Sequence, residues 1–398
     1  MLSKRTPFLS GPDIAIAHAN AQAAVAEGRE IVDLTTHDHW PEPPQALCEA
    51  GTDAAGKGTG RYTETIGLHS LRQVLARRVS RQTGLFWKAG EIAIATGAEQ
   101  ALFNAALAIL DPGDEVIIPS PYWSSFPAQV SIAGASPIFL PTEDSSYLPD
   151  INGFAAAITP RTRAIVISTP NNPTGRVYSQ DLLSKIAVLA EECDLWIICD
   201  ECDRDFFYDQ HTCVGILEAV PEVRPRTLLV NSFSKSQAQP GWRIGYLAGP
   251  RAVIAAVNAL QSHTTSRPNV VAQHATADLL AGDDESFLTN ARAFLGLNRA
   301  IGLQILSRLR DVPLPPSEGG FHFYLDLRRV LARKAQDDRI IDAADLAAHL
   351  LMAAGVAGVP GTAFGDPTGL RLSYGLPTRQ LEHGLDALVR CLNEFRDR

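Results

Sequence analysis

Between about residue 90 and residue 250 the chain alternates short apolar runs with longer amphipathic segments, and this alternation narrows its possible folds more than any other feature. Residues 91–96, 115–120, 163–168, 194–199, 227–230 and 244–248 read as buried strands. Residues 100–110 and 181–193, striped with apolar side chains, read as helices between them. Strand, helix and strand in series make an α/β fold: a mostly parallel sheet with helices on both faces. Ligands of such sheets bind at the carboxyl ends of the strands, so the polar residues there are the first candidates for chemistry. Beyond 250, residues 252–260, 270–281 and 285–310 read as helices. The last carries the chain into a smaller α/β domain, with a strand near 321–326 and a helix over 343–354. The expected organisation is an N-terminal arm and part of the small domain over 1–45, a large domain over 46–284, and the small domain over 285–398.

Bulk properties exclude some function classes. A net charge of −9 argues against a general binder of nucleic acid or anionic membrane. No apolar stretch reaches the roughly 18 residues of a membrane span, and residues 1–7 lack the apolar core of a signal peptide. Cys199-Asp-Glu-Cys202 has C-x-x-C spacing, but positions three apart on a strand face opposite ways, so no metal or redox pair is expected. Scattered thiols suit a cytoplasmic protein. His37 and His39 share a face if extended, yet no carboxylate or cysteine completes a metal set, and no metal is expected.

The chemistry concentrates in Ser232-Phe-Ser-Lys235-Ser-Gln-Ala-Gln-Pro-Gly-Trp-Arg243-Ile-Gly-Tyr246, which reads as strand, irregular loop, strand. A lysine desolvated at a strand end offers a free amine, which forms a Schiff base with an aldehyde. Arg243 can fork two hydrogen bonds onto a phosphate, and Ser232 adds a hydroxyl. A phosphorylated aldehyde suggests pyridoxal 5'-phosphate. Asp200, at the end of the preceding strand, suits a carboxylate that keeps a pyridine nitrogen protonated. The turn Gly97-Ala98-Glu99 opens a helix whose free N–H groups attract an anion.

Ser232-Phe-Ser-Lys235 followed by Gly241-Trp-Arg243-Ile-Gly-Tyr246 resembles the lysine motif of class I/II aminotransferases, pyridoxal-phosphate enzymes of fold type I. Other strings fall in that family's order: Tyr62-Thr-Glu-Thr-Ile-Gly67, Pro121-Tyr122-Trp123, Pro170-Asn171-Asn172-Pro173-Thr-Gly175 and Leu370-Arg371-Leu-Ser373. The resemblance implies that Lys235 carries the cofactor and moves protons as general base and acid, with Asp200 at the ring nitrogen. It implies that Gly97, Ala98, Glu99, Ser232 and Arg243 hold the phosphate, joined by Tyr62 of a neighbouring subunit. Trp123 would stack on the ring, Asn172 would bind its oxygen and the substrate carboxylate, and Arg371 would fork onto that carboxylate. His37 lies in the segment that covers the site and is a candidate substrate contact. A homodimer with shared active sites is implied, acting on an amino acid and a 2-oxo acid.

One position departs from the family pattern. Asp203 stands where the family has a tyrosine that donates to the cofactor's phenolic oxygen. An ionised carboxylate cannot donate, so Asp203 must be protonated, turned away, or paired, for instance with Arg204. Loss of the donor is expected to raise the pKa of the lysine Schiff base. The leading reading is an aminotransferase. The alternative is a lyase, cyclase or oxidase of the same fold, which would keep the same cofactor-holding residues.

Overall fold

The computed structural model describes residues 13–36, 38–39, 41–142, 146–209, 213–282, 285–332 and 340–394. Seven strands form the main sheet: β1 (Ile92–Ala95), β2 (Glu115–Pro119), β3 (Ser136–Leu140), β4 (Thr162–Ser168), β5 (Trp196–Asp200), β6 (Thr227–Ser232) and β7 (Gly245–Ala248). Their spatial order is β1-β7-β6-β5-β4-β2-β3. The pairs from β6 to β3 are parallel, and β7 runs antiparallel to both β6 and β1. The direct link from β6 to β7 contains only one helical turn and a 3₁₀ turn, too little for a crossover back to a parallel partner.

The strands are apolar along their length because helices cover both faces. Ile165, Ile167, Ile197 and Leu229 point into one core with Leu183 and Ile186 of the helix Gln180–Glu192. Ala164, Val166, Ile198 and Leu228 point into the other with Leu102 and Ala105 of the helix Gly97–Ile109. β3 is the exception: an edge strand that opens on an exposed serine followed by proline, invisible to a search for apolar runs.

A third large core packs around an antiparallel sheet of β8 (His322–Asp326), β9 (Val359–Pro360) and β10 (Gly369–Ser373), in the order β9-β10-β8. The helix Glu285–Leu306 buries Leu288, Ala291, Leu295, Asn298, Gly302 and Leu306, a spacing of three and four that keeps one face inward. Val32–Asp33 pairs in parallel with Val356–Ala357, tying the N-terminal segment to this core. No helix among the described residues is long and apolar enough to cross a membrane.

Register brings the site together. Ser168 lies opposite Asp200, and Asp200 opposite Val230, so β4, β5 and β6 end side by side. Because β7 is antiparallel, its beginning lies at this same edge, with Gly245 opposite Ala95 and Ser232. Two local readings change. The helix starts at Gly97 itself, so Gly97-Ala98-Glu99 is its first turn. Lys235 stands three residues past the strand, on the four-residue helix Phe233–Ser236.

Candidate active site

A cavity of about 580 Å³ opens at this edge, and Lys235, Asp200, Asn172, Arg243 and Trp123 all line it. Lys235 Nζ lies 4.9 Å from the centre of the Phe321 ring. Desolvation lowers its pKa, opposed by Asp203 and Asp38 and reinforced by Arg371. The backbone of Lys235 is held from outside its own loop: His39 Nε2 donates to the Lys235 carbonyl at 2.7 Å. His39 packs edge-on against Phe206 and Phe321, and its burial pulls the imidazole down to about 4, so the ring is neutral. The sequence offers the His39 segment as a metal pair, a capped loop or a substrate contact, and not as a brace on the lysine backbone. Its bond to a carbonyl far along the chain has no local signature. His37 lies outside the described residues.

Asp200 is buried and accepts from the Cys202 amide at 3.0 Å. Burial pushes its carboxyl up to about 6, the cost of a carboxylate without a nearby cation. A protonated ring nitrogen is the kind of group that would relieve it. Asp203 is only 5% exposed, and its Oδ1 has no hydrogen-bond partner. Burial raises its pKa also, while Lys235 and Arg371 act to lower it. Arg204 does not supply a partner, because its guanidinium is taken by Glu201 at 3.2 Å and Glu218 at 2.6 Å.

The opposite wall is an anion cradle. Gly97 has φ +76°, and a Cβ there would run into the Arg243 guanidinium. A Cβ on Gly245 would lie 2.6 Å from the Ala98 amide nitrogen. These two glycines let the arginine and the start of a 13-residue helix converge without side chains between them. Arg243 itself takes a left-handed φ of 59°, and its Nη1 donates to the Pro240 carbonyl at 2.9 Å. Ser232 is buried beside them.

Glu99 is turned toward Trp123. Its carboxylate accepts from Trp123 Nε1 at 2.6 Å, Ser125 Oγ at 3.1 Å and Gln129 Nε2 at 3.0 Å. The indole is therefore fixed against the cavity, whereas Tyr122 stacks on Phe139 at 5.0 Å. Tyr62 lies at the surface, 89% exposed, with the Arg267 guanidinium 4.8 Å from its ring centre.

The third core contributes Arg371 from β10, wholly buried. Its Nη1 donates to Asn172 Oδ1 at 3.1 Å and its Nη2 to the Thr35 carbonyl at 3.2 Å, with the Phe364 ring centre 5.0 Å away. Burial pulls the guanidinium down to about 9, opposed by Asp203. Asn171 braces the loop: its Oδ1 accepts from Thr174 Oγ1 at 2.7 Å and its carbonyl from the Gly175 amide at 2.7 Å. Asn172 is left facing the cavity. Asp38, Cys202 and His18 complete parts of the wall that sequence reasoning did not assign.

An apolar slot beside Trp123 and Leu102, a cradle for an anion at one end and a buried carboxylate at the other fit a phosphorylated aromatic ring. Comparison with known proteins agrees. Residues 29–388 match the family model for aminotransferase class I and II. The aspartate/prephenate aminotransferase of Nitrosomonas europaea is 35% identical over 399 residues, covering 98% of this chain and 100% of that protein. The aspartate/prephenate aminotransferase of Thermus thermophilus is 35% identical over 395 residues, with 98% of each covered. The crystal structure of the aspartate aminotransferase from Rhizobium meliloti superposes with a TM-score of 0.92 at 33% identity, with 99% of each chain covered.

Proposed function

The chain belongs to the aminotransferase class I and II family, and from that premise we propose how its residues divide the reaction among them. The enzyme is a pyridoxal-phosphate-dependent aminotransferase. When bound, the cofactor supplies an electron sink that makes the substrate Cα proton acidic. Arg243, Ser232 and the N–H groups of Gly97, Ala98 and Glu99 bind its phosphate. Asp200 holds a proton at the ring nitrogen, and Trp123 orients the ring. Arg371 and Asn172 grip the α-carboxylate of the amino acid, which fixes the Cα–H bond toward Lys235. The Lys235 amine, its pKa lowered by desolvation, takes that proton and returns it as general base and acid. Asp203 faces the cavity near Lys235 in place of a neutral donor, and His37 is kept as a substrate contact.

The organisation carries the same reading. Residues 46–284 form the cofactor-binding domain, 285–398 the small domain, and 1–45 an arm that joins it. The exposed Tyr62 suits a homodimer in which each subunit completes the other's phosphate site. The six cysteines are free thiols, as a cytoplasmic enzyme would have. The relatives act, by their names, on aspartate and prephenate. For this chain the shared part is an L-amino-acid donor and a 2-oxo-acid acceptor.

The observation that carries the reading is the single cavity into which Lys235, Asp200, Asn172 and Arg243 open. Its test is a half-reaction with cofactor-loaded protein, single L-amino acids and no 2-oxo acid. Stoichiometric loss of the cofactor's visible band, without turnover, supports transfer. Consumption of an amino acid over many turnovers with the band retained refutes it.

A further inference from the structure

The helix that carries Lys235 is a single turn, Phe233–Ser236, too short to be held by its own hydrogen bonds. The Lys235 carbonyl lies at its C-terminal end, where a helix leaves acceptors open. That carbonyl takes the Ala238 amide at 3.2 Å, with Ala238 at a left-handed φ of 47°, and the His39 Nε2–H at 2.7 Å. The imidazole is buried between Phe206 and Phe321, whose ring centres lie 5.5 Å and 5.9 Å away. Its Nδ1 is buried with no hydrogen-bond partner, a cost that a phenyl ring in the same space would not carry. What the imidazole adds over a plain ring is therefore the Nε2 donor. Phe321 also reaches the other end of the lysine, its ring centre 4.9 Å from Nζ.

His39 is in turn fixed by the strand that bears Arg371. The Leu34 carbonyl accepts from the Ser373 amide at 2.8 Å, and the Thr35 carbonyl from Arg371 Nη2 at 3.2 Å. Gly375 leaves room for the next contact: a Cβ there would lie 2.9 Å from the Asp38 carbonyl oxygen and 2.9 Å from His39 Cα. One short stretch of chain thus touches Arg371 at Thr35 and Lys235 at His39.

We propose that His39 is a positioning residue for proton transfer: its Nε2–H, bonded to the Lys235 carbonyl, fixes the lysine amine relative to Arg371. This rests on the reading of Lys235 as proton carrier and Arg371 as carboxylate grip in the same cavity. The two groups come from different sheets, and a bound amino acid must meet both at once. Proton transfer depends steeply on that spacing, because a misplacement near 1 Å costs about 100-fold in rate. A brace that joins the grip to the backbone of the base sets the spacing before the amino acid arrives. His39 touches neither amino acid nor cofactor in this role, and its ring stays neutral throughout.

The test follows the single-turnover half-reaction of cofactor-loaded enzyme with each standard L-amino acid, then with the fastest of them deuterated at Cα. In His39→Phe, which keeps the ring and removes the donor, the rate constant at saturating amino acid should fall about 10- to 100-fold, with the half-saturating concentration changed less than about threefold. A variant that merely folds poorly loses amplitude and keeps its rate constant. The slowed step should carry an isotope effect no smaller than that of wild type. His39→Gln returns an N–H donor and should recover the rate constant to within about threefold of wild type. Gly375→Ala keeps the imidazole, displaces its backbone and should slow the same step at least about threefold, so it carries the test if His39→Phe does not fold. In the apoprotein, the amides of Gln237 and Ala238 should exchange about fivefold faster in His39→Phe than in His39→Gln, the scale of one hydrogen bond. A rate constant unchanged in a folded variant, His39→Gln as slow as His39→Phe, a lost isotope effect or equal exchange overturns the proposal and leaves amino transfer standing. Loaded wild type whose visible band no standard L-amino acid alters overturns the amino-transfer reading and the proposal with it.

Discussion

Replacing Arg371 with lysine separates a bound carboxylate from a buried brace. The guanidinium is wholly buried in β10 and spans two fixed acceptors, Asn172 Oδ1 at 3.1 Å and the Thr35 carbonyl at 3.2 Å. It can present a planar fork to an α-carboxylate while its position is set by those contacts. Each hydrogen bond to a charged group contributes about 1.5–3 kcal/mol. A lysine ammonium keeps the charge and loses the fork, so about one such bond disappears. That loss corresponds to a fall of about 10- to 150-fold in kcat/KM, at about 1.4 kcal/mol per tenfold. Arg371→Met removes both bonds and is expected to lower kcat/KM by about 10²- to 10⁴-fold. It also strands the buried Thr35 carbonyl, with about 1–3 kcal/mol of stability lost. The decisive assay compares a reactive amino acid with its decarboxylated amine in wild type and in Arg371→Lys. The amine has no α-carboxylate to lose, so the substitution should slow the amino acid and leave the amine nearly unchanged. Equal slowing of both would refute carboxylate binding and leave Arg371 a structural residue.

Three further outcomes are expected. In Asp203→Tyr, a phenol donor replaces a carboxylate with an unpartnered oxygen, and the pH midpoint of the bound cofactor's visible band should fall by about one unit, about 1.4 kcal/mol; an unchanged midpoint in a spectral titration refutes this. Gly245→Ala drives a Cβ to 2.6 Å from the Ala98 nitrogen, so the cradle must shift, and cofactor affinity should drop about tenfold on titration of the apoprotein, for a strain of about 1–3 kcal/mol. His39 has its native pKa drawn from 6.5 down to about 4, so the unfolded chain takes up a proton over that interval while the native chain does not, and stability falls as pH falls. At about 1.4 kcal/mol per pH unit, wild type should lose about 3 kcal/mol relative to His39→Gln between pH 7 and pH 4, and denaturation curves that stay parallel across pH refute it.

The main sheet was legible because buried parallel strands are continuous apolar runs, as at Ile165–Ile167 and Ile197–Cys199, broken by residues that cannot be core. β3 was not, since an edge strand needs no such run. Asp200, Lys235 and Arg371 stood out because an ionisable residue at the end of, or inside, an apolar strand needs a reason to be there. The short helix under Lys235 escaped notice because four residues carry no periodicity. The bond from His39 to the lysine backbone and the three-donor clamp on Glu99 are products of tertiary packing, joining segments that nothing in the local sequence relates.

Arg371 touches the Thr35 carbonyl across 336 residues, and Val32–Asp33 finds its strand partner only at Val356–Ala357. On the ribosome the early segment must therefore wait for the late one. At about 5–20 residues per second that wait is roughly 15–70 s, during which the main sheet can already be complete. A nascent chain released or stalled before β10 emerges would own Lys235, Asp200, Asn172 and the Gly97–Arg243 cradle, yet lack Arg371. On the proposed division of roles, synthesis thus delivers the cofactor half of the site first and withholds the arginine of the substrate half until nearly the last of the chain.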